Sequence, residues 1–294
     1  MAKGRELKGR IKSVENTRKI TRTMEMVATS KMKRAQDRVV SARPYALALA
    51  DVISSLYSPE LAERFPLLRQ PTSPRRVALI VLTSNRGLAG GFNANLIKAA
   101  RVKIAEIEKA GTKVEVHVIG KKGIGYFKYV GRELKTQRID VTDRPTAQNA
   151  SEIVDALMAE YIAGDLDGVY VTYAKFVSAL STPPTTERIL PVTPPTAKKE
   201  EGGAGGVLHD YMLLPSAEAI LTELLPAYVR NVVYRALVET VAGEQSARRT
   251  AMKNATDNAG DILNVLRRTY NRARQAQITQ EIAEIVGGAA ALQG

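Results

Sequence analysis

The stretch KITRTMEMVATSKM, Lys19 to Met32, carries three methionines among charged side chains and contains neither Gly nor Pro. Methionine is a flexible apolar residue that fills gaps in cores, so this mixture predicts a helix with one packed face and one basic face. At 100° per residue, the predicted packed face holds Ile20, Met24, Val27, Ala28 and Met32. Met26 points the other way, among Lys and Arg side chains, where packing within the chain does not explain it.

The same apolar stripe extends in both directions from this stretch. Apolar or small residues recur from Leu7 to Leu56 in steps of three or four, which average about 3.5 once Thr17 is placed on the stripe. This period is typical of a coiled coil, and ~50 helical residues give a rod of ~75 Å. Pro44 is expected to kink or break the helix, and Pro59 to end it.

A second long helical pattern runs from about 216 to 286. Pro226 is predicted to divide it and to begin the longer piece. Its apolar stripe is thin between Ala242 and Ala259, and Gly243 and Gly260 each cost ~1 kcal/mol relative to Ala. Helix propensity alone does not explain this segment, whereas pairing with the first helix does. The sequence therefore predicts an antiparallel coiled coil of the two terminal helices.

Between these helices the pattern changes to alternating strands and helices. Strands are predicted at 77–83, 113–120, 136–140 and 167–176, with a proline-bounded edge strand at 185–192, and helices at 93–111, 124–130 and 151–163. Such alternation favours a mainly parallel, doubly wound sheet. The predicted organisation is a coiled-coil helix (1–58), a linker (59–76), an α/β domain (77–192), a flexible loop (193–215), and a coiled-coil helix with its tip (216–294). The coiled coil would form a mast and the α/β domain its foot.

The composition excludes several functional classes. The chain has no cysteine and only two histidines, His117 and His209, among its 294 residues, which excludes disulfides, thiolate catalysis and a histidine-rich metal site. The longest purely apolar run has six residues, Val77 to Leu82, and the basic N-terminus lacks the apolar core of a signal peptide. We expect a soluble intracellular protein.

Positive charge is concentrated at the start of the chain. The net charge is +13, and residues 1–50 hold 13 Lys and Arg against 4 Asp and Glu. Such a basic helix indicates an acidic partner, which is a nucleic acid, an anionic membrane surface or an acidic protein collar. Residues 285–294, IVGGAAALQG, carry no charge at all. An uncharged tip favours insertion into an apolar sleeve, although a weakly ordered Ala/Gly tail would have the same composition.

Two alternative functions can be weighed from the residues. A dinucleotide-dependent enzyme would use the α/β domain, but TSNRGLAGGFN lacks the GxGxxG spacing and GKKGIG (120–125) lacks the GK[ST] ending of a P-loop. A basic coiled-coil adaptor would lay its first helix along nucleic-acid phosphates. Against the adaptor, no aromatic residue precedes Tyr45, and the cations are interspersed with small polar residues.

Segments in three parts of the chain resemble the gamma subunit of the F-type ATP synthase. They are KITRTMEMVATSKMKRAQ in the first helix, SNRGLAGGFN after the first strand, and the pair EQSARRTAMKNATDNAGDIL and YNRARQAQITQEIAEIVGGAAAL in the last helix. The resemblance covers the whole chain in order. It implies an antiparallel coiled coil with a Rossmann-like domain that serves a structural purpose.

The resemblance also implies a function and a set of partners. The chain would be a central rotor shaft without a catalytic site, cofactor or metal of its own, which couples proton flow to ATP synthesis by turning inside a ring of alpha and beta subunits. Its foot would bind the epsilon subunit and the membrane ring of c subunits, with no nucleic acid involved. Because the chain has no cysteine-bearing insert and no transit peptide, the resemblance implies a peripheral protein on the cytoplasmic side of a bacterial cell membrane.

Individual contact residues can be carried over from the family at matching positions. Met24 matches the shaft methionine that faces an acidic lever of a beta subunit, and Glu244 and Arg248 match shaft residues near that lever. Contacts with an inner loop of the beta subunits are matched by Arg274, Gln275 and Thr279. A contact with the c ring is matched by Tyr211. Residues 285–292 match the tip in its apolar bearing.

Overall fold

The structure is a computed structural model that describes residues 2–56, 64–193 and 216–291. Pro59, His209, Tyr211 and all but the first residue of the predicted loop 193–215 lie outside the described residues. The helices and strands are α1 (Ala2–Leu56), a 3-10 turn (Pro66–Leu68), β1 (Arg76–Leu82), α2 (Phe92–Lys109), β2 (Lys113–Ile119), α3 (Lys121–Tyr129), β3 (Thr136–Arg138), α4 (Ala147–Ala163), β4 (Gly168–Ala174), β5 (Pro184–Leu190) and α5 (Ala217–Ala291).

The chain divides into two compact units. The first contains α1 as far as Thr29 together with α5 from Arg248 onward, and the second runs from Ser30 to Ala247. The second unit therefore extends beyond the predicted α/β domain (77–192), because parts of both terminal helices contribute to its core. Ile53 of α1 and Leu237 of α5, for example, are both buried there.

The second unit is built on a five-stranded sheet with the order β3-β2-β1-β4-β5. Strands β1 to β4 are mutually parallel, and β5 pairs antiparallel with β4 at the edge. Six of the seven residues of β1 are buried, as expected for a central strand that is covered on both faces. The predictions of a mainly parallel, doubly wound sheet and of an edge strand with prolines are confirmed.

The two faces of β1 enter separate cores. Val77, Leu79 and Val81 pack with residues of α2 and α3, such as Ile104 and Phe127. The alternate residues of the strand pack instead with α4 and the two terminal helices; they are Ala78, Ile80 and Leu82. The sheet is thus the middle layer of three. Apolar surface buried between the layers stabilises the fold by roughly 25 cal/mol per Å².

In the first unit, α1 and α5 run antiparallel. Glu15 pairs with Arg267 at 2.6 Å, and six residues further along α1 the Thr21 hydroxyl accepts a hydrogen bond from Thr256, also across the pair. Because the α1 numbers rise while the α5 numbers fall, the two helices must point in opposite directions. The predicted antiparallel coiled coil is confirmed.

Neither internal proline ends its helix. Helix α1 continues across Pro44, so the proline does not break it. Helix α5 runs from Ala217 to Ala291 with Pro226 inside, so the prediction that Pro226 begins a separate piece was wrong. A proline in a helix interior costs ~3 kcal/mol. The flanking residues Leu221, Leu225 and Val229 are almost completely buried, at about 1.5–3 kcal/mol each, which offsets that cost.

One helical stretch of the described chain, Arg5–Leu56, is long and apolar enough by length and composition to cross a membrane. Core helices of soluble proteins meet the same criterion. Leu49, Ile53 and Leu56 of this stretch are buried, and the last two belong to the core beside the sheet.

Two glycines of α5 are expected to respond to alanine in opposite directions. A Cβ at Gly260 would meet Arg18 at 3.8 Å, an ordinary contact, whereas a Cβ at Gly243 would lie 3.0 Å from Ala174 Cβ and 3.4 Å from Phe92. We expect Gly260→Ala to raise the free energy of unfolding by about 0.5–1 kcal/mol through helix propensity. Gly243→Ala should lower it by about 1–3 kcal/mol through overpacking. Urea unfolding of the two variants, each the other's control, checks this; a shift of both in one direction would contradict it.

Candidate partner-binding surface

The predicted contact residues differ in how much surface they expose. Arg274, Gln275 and Thr279 are exposed, Met24 is half-buried, and Glu244 and Arg248 are buried at 7% and 8% exposure. Glu244 and Arg248 each take part in an interaction within the chain. The three predicted contact residues near the C-terminus are therefore accessible to a partner, whereas Glu244 and Arg248 expose little surface.

The predicted stripe on α1 is correct only in part, since Ala28 and Met32 are buried as expected. Thr21 and Ala28 are buried, while Ile20 and Val27 are 60% and 49% exposed. The prediction that Ile20 and Val27 share the packed face was wrong. The buried stripe is displaced by one residue at this point, because Thr21 is buried where the apolar pattern favoured Ile20. Met24 lies at the edge of the packed face, and Met26 is 58% exposed.

The last turns of α5 present an apolar face to solvent. Every residue from Glu281 to Ala289 is exposed, including Ile282, Ile285 and Val286. The polar side chains just before these turns are held locally, since Gln277 donates to Glu281 and Gln280 donates to Glu284 at 2.9 Å each. Exposed large apolar side chains that recur along a helix mark an interaction surface.

The glycine-rich turn after β1 uses its polar groups internally. The Ser84 backbone N–H donates to Asn93 Oδ1 at 3.0 Å, and the Phe92 N–H donates to the Ala89 carbonyl. Leu88 has a φ of 62° and Gly90 a φ of 56°, which shows that the turn needs left-handed backbone at two positions. These donors are therefore not directed toward a phosphate, and the turn acts as a connection from strand to helix.

Two of the three glycines of GKKGIG lie too close to Thr83 to carry a side chain. A Cβ at Gly120 would lie 2.2 Å from the Thr83 carbonyl oxygen, and one at Gly123 would lie 2.7 Å from Thr83 Oγ1. The Thr83 hydroxyl instead accepts a hydrogen bond from the Gly123 N–H at 3.0 Å. This segment thus lets α3 start directly against the end of β1.

Helix α5 lies across the carboxyl ends of the strands, where ligands of doubly wound folds bind. Its Glu239 carboxylate accepts a hydrogen bond from the Phe176 N–H at 2.9 Å, just beyond β4. An open pocket of about 480 Å³ remains beside it, with Arg86, Lys121, Arg144 and Glu244 in its lining. The helix therefore fills part of this crevice.

His117 lies in β2 and is buried. Its Nδ1 lies 3.0 Å from Thr136 Oγ1, whereas its Nε2 has no partner among the described residues. Burial lowers the pKa of His117 below its ordinary value, so the neutral form is favoured. Within residues 2–56, 64–193 and 216–291, no group of three His, Cys, Asp or Glu is placed to hold a metal ion.

Three kinds of comparison relate the chain to known proteins. A family model described as ATP synthase matches residues 3–292. The ATP synthase gamma chain of Gemmatimonas aurantiaca is 69% identical over the full length of both chains. That of Psychrobacter cryohalolentis is 42% identical over 99% of this chain and 100% of its own.

Solved structures share the fold at lower identity. A chain in the Euglena gracilis mitochondrial ATP synthase, OSCP/F1/c-ring, superposes with a TM-score of 0.70 at 20% identity, covering 99% of this chain and 95% of that one. A chain of the Tetrahymena thermophila central stalk and c-ring structure gives a TM-score of 0.62 at 23% identity, covering 80% of this chain and 99% of that one. Taken with the full-length match to the gamma chains, these findings show that the chain belongs to the ATP synthase gamma chain family.

Proposed function

We propose that this chain is the central rotor of a proton-translocating ATP synthase and transmits torque between a membrane ring of c subunits and the catalytic beta subunits. The observation that carries the proposal is the last stretch of α5, where Glu281 to Ala289 are all exposed and Ile282, Ile285 and Val286 are apolar. Such a helix end fits the apolar centre of a surrounding ring. The 69% identity to a gamma chain over the full length supports the same assignment.

The proposal includes the site and the partners of the rotor. Arg274, Gln275 and Thr279 are exposed on one helix and would exchange polar contacts with successive beta subunits. Exposed pairs contribute only ~0–1 kcal/mol each, so contacts of this kind can break and reform as the shaft turns. Met24, Glu244 and Arg248 would lie near an acidic lever of a beta subunit, and Tyr211 would lie at the c ring.

The remaining parts of the assignment follow from the same proposal. Alpha and beta subunits would surround the coiled coil, and the α/β unit would bind the epsilon subunit and the c ring. Catalysis would belong to the beta subunits, so the chain would have no active site, cofactor or metal of its own. It would sit on the cytoplasmic side of a bacterial cell membrane as a peripheral subunit.

Charge reversal at Arg274 provides the functional test. We expect Arg274→Glu to lower ATP-driven proton pumping by about threefold or more, because it replaces attraction to an acidic or polar partner with repulsion. The measurement is fluorescence quenching by a pH-sensitive dye in inverted membrane vesicles that contain the assembled complex. Reversal at Arg248 is less informative, since that side chain is buried and a buried charge without its partner destabilises the fold.

The matched control is Arg272→Glu, which reverses an exposed cation two residues away on a different face of the same helix. It should leave pumping close to that of the unaltered chain. Copurification of the chain with alpha and beta subunits establishes assembly for both variants. Failure of the unaltered chain to copurify with them would overturn the proposed function, and equal losses in the two variants would overturn the role of Arg274.

A further inference from the structure

We propose that Thr21 and Thr256 are positioning residues that set the register of the two shaft helices through a hydrogen bond buried between them. Thr256 Oγ1 lies 2.8 Å from Thr21 Oγ1, across 235 residues of sequence. Both threonines are 9% exposed. The inference rests on the proposed rotor function, because register matters only if the shaft must present its contact residues at fixed angles.

The two hydroxyls form a chain in which both protons are used. Thr21 Oγ1 also lies 3.1 Å from the Arg18 carbonyl oxygen, and Thr256 Oγ1 lies 2.8 Å from the Met252 carbonyl oxygen. A hydroxyl has one proton and can accept further bonds. Either Thr256 donates to Thr21 and Thr21 donates to Arg18, or Thr21 donates to Thr256 and Thr256 donates to Met252. Both arrangements include the bond between the helices. If each hydroxyl donated to its own helix carbonyl instead, two oxygen lone pairs would face each other at 2.8 Å, which is unfavourable.

The apolar residues around this pair specify the register weakly. The buried side chains of the same stretch are Ala28, Met252, Ala259 and Leu263, and the two alanines are too small to act as knobs that fit one hole only. A hydrogen bond is directional and is lost when its partners move by about 1 Å. In coiled coils, a single buried polar pair fixes register at some cost in stability.

Neighbouring contacts agree with the same alignment. Glu15 reaches Arg267 at 2.6 Å, and the guanidinium of Arg18 lies about 3.8 Å from where a Cβ at Gly260 would be. The α1 members of these contacts and of the threonine pair are spaced three residues apart, on one face of the helix. The ion pair is exposed and therefore weak, which leaves the buried hydroxyl pair as the stronger determinant.

Removing one hydroxyl should have a different effect from removing both. In Thr256→Val the Thr21 hydroxyl keeps its bond to the Arg18 carbonyl but loses the bond between the helices and faces a methyl group, so we expect about a fivefold loss in the folding equilibrium constant. In the double variant Thr21→Val, Thr256→Val, two methyl groups of matching shape meet, and the folding equilibrium should return to or exceed that of the unaltered chain. The ratio of proton pumping to ATP hydrolysis should nevertheless fall at least about twofold, because the register is no longer fixed.

The test is made on the assembled complex in inverted vesicles, with urea unfolding of each purified chain in parallel. The control is Thr21→Ser, Thr256→Ser, which keeps both hydroxyls and should keep the coupling ratio. Unaltered coupling in the double valine variant would overturn the inference. Loss of both stability and coupling in that variant would also overturn it, since the pair would then be an ordinary stabilising contact. If the unaltered chain itself supports no pumping, the proposed function fails instead.

Discussion

Gly120→Ala is expected to lower the free energy of unfolding by about 4 kcal/mol or more, which places it among the most damaging single substitutions. Gly120 has a φ of 104°, in the left-handed region that side chains rarely adopt. Its new Cβ would lie 2.2 Å from the Thr83 carbonyl oxygen and 2.6 Å from Thr83 Oγ1. Thr83 directly follows the central strand β1, so its backbone cannot move aside, and the start of α3 would have to separate from the end of β1.

The matched control lies five residues further along the chain. Gly125 is inside α3, and a Cβ there would meet nothing within 4 Å. Gly125→Ala should therefore be neutral or raise the free energy of unfolding by about 0.5–1 kcal/mol. Thermal unfolding followed by circular dichroism separates the two cases, since about 4 kcal/mol corresponds to a fall of roughly 10 °C in Tm for a domain of this size. Equal Tm values for the two variants would show that the close approach to Thr83 is unimportant.

The elements of the sheet could be predicted because they depend on local patterns. The run at Val77–Leu82 is apolar on both faces and became the central strand, and the prolines around Thr185–Val192 indicated an edge strand, as observed in β5. The 3.5-residue period from Leu7 to Leu56 likewise predicted α1. In each case the pattern of side chains along one segment was sufficient to determine its structure.

The pairing of the two terminal helices was predicted, but other features that depend on two distant segments were not. The continuity of α5 through Pro226 requires the buried flanks of that helix. The buried position of Thr21 requires its partner Thr256, and a pattern of apolar residues favours Ile20 there instead. His117 was placed in a strand, but its burial against Thr136 follows from the pairing of β2 with β3. Tertiary contacts overrode the local preference in each case.

The candidate contact surface shows the same division. Arg274, Gln275 and Thr279 could be named from resemblance to a family, and their exposure agrees with a contact role. The burial of Glu244 and Arg248 could not be foreseen, because it depends on how α5 packs along its length. A buried polar cluster around Glu239 was also missed, since a glutamate in a helical pattern is ordinarily assigned to a solvated face.

This cluster gives the second large effect, at Glu239→Leu. Glu239 is 6% exposed, and its Oε2 accepts a hydrogen bond from the Phe176 N–H at 2.9 Å. Its Oε1 lies 3.8 Å from Arg235 Nε, and Arg235 Nη2 lies 3.1 Å from Glu187. Leucine would leave the buried Phe176 N–H without its acceptor and would remove one of the carboxylates near the Arg235 guanidinium. We expect a loss of about 2–4 kcal/mol in the free energy of unfolding.

Glu239→Gln is the matched control for this variant, because the glutamine amide oxygen can still accept the hydrogen bond from the Phe176 N–H. Burial raises the pKa of Glu239 above its ordinary value, so the native state holds the proton more tightly than the unfolded chain does. The contribution of this group to stability is therefore fully present below the ordinary pKa of about 4.5 and is lost as the pH rises through the raised pKa. Glutamine does not titrate. At pH 8 we therefore expect the free energy of unfolding of Glu239→Gln to lie within about 1 kcal/mol of that of the unaltered chain, or above it.

Urea unfolding at pH 5 and pH 8 measures both effects. The unaltered chain should lose more stability between these pH values than Glu239→Gln does, whereas Glu239→Leu should be destabilised at both. If leucine and glutamine proved equally destabilising, the hydrogen bond to Phe176 would not be what holds α5 against the end of β4. If Glu239→Leu were as stable as the unaltered chain, the cost of burying the carboxylate would equal what it gains from Phe176 and Arg235. Buried ion pairs often approach this balance.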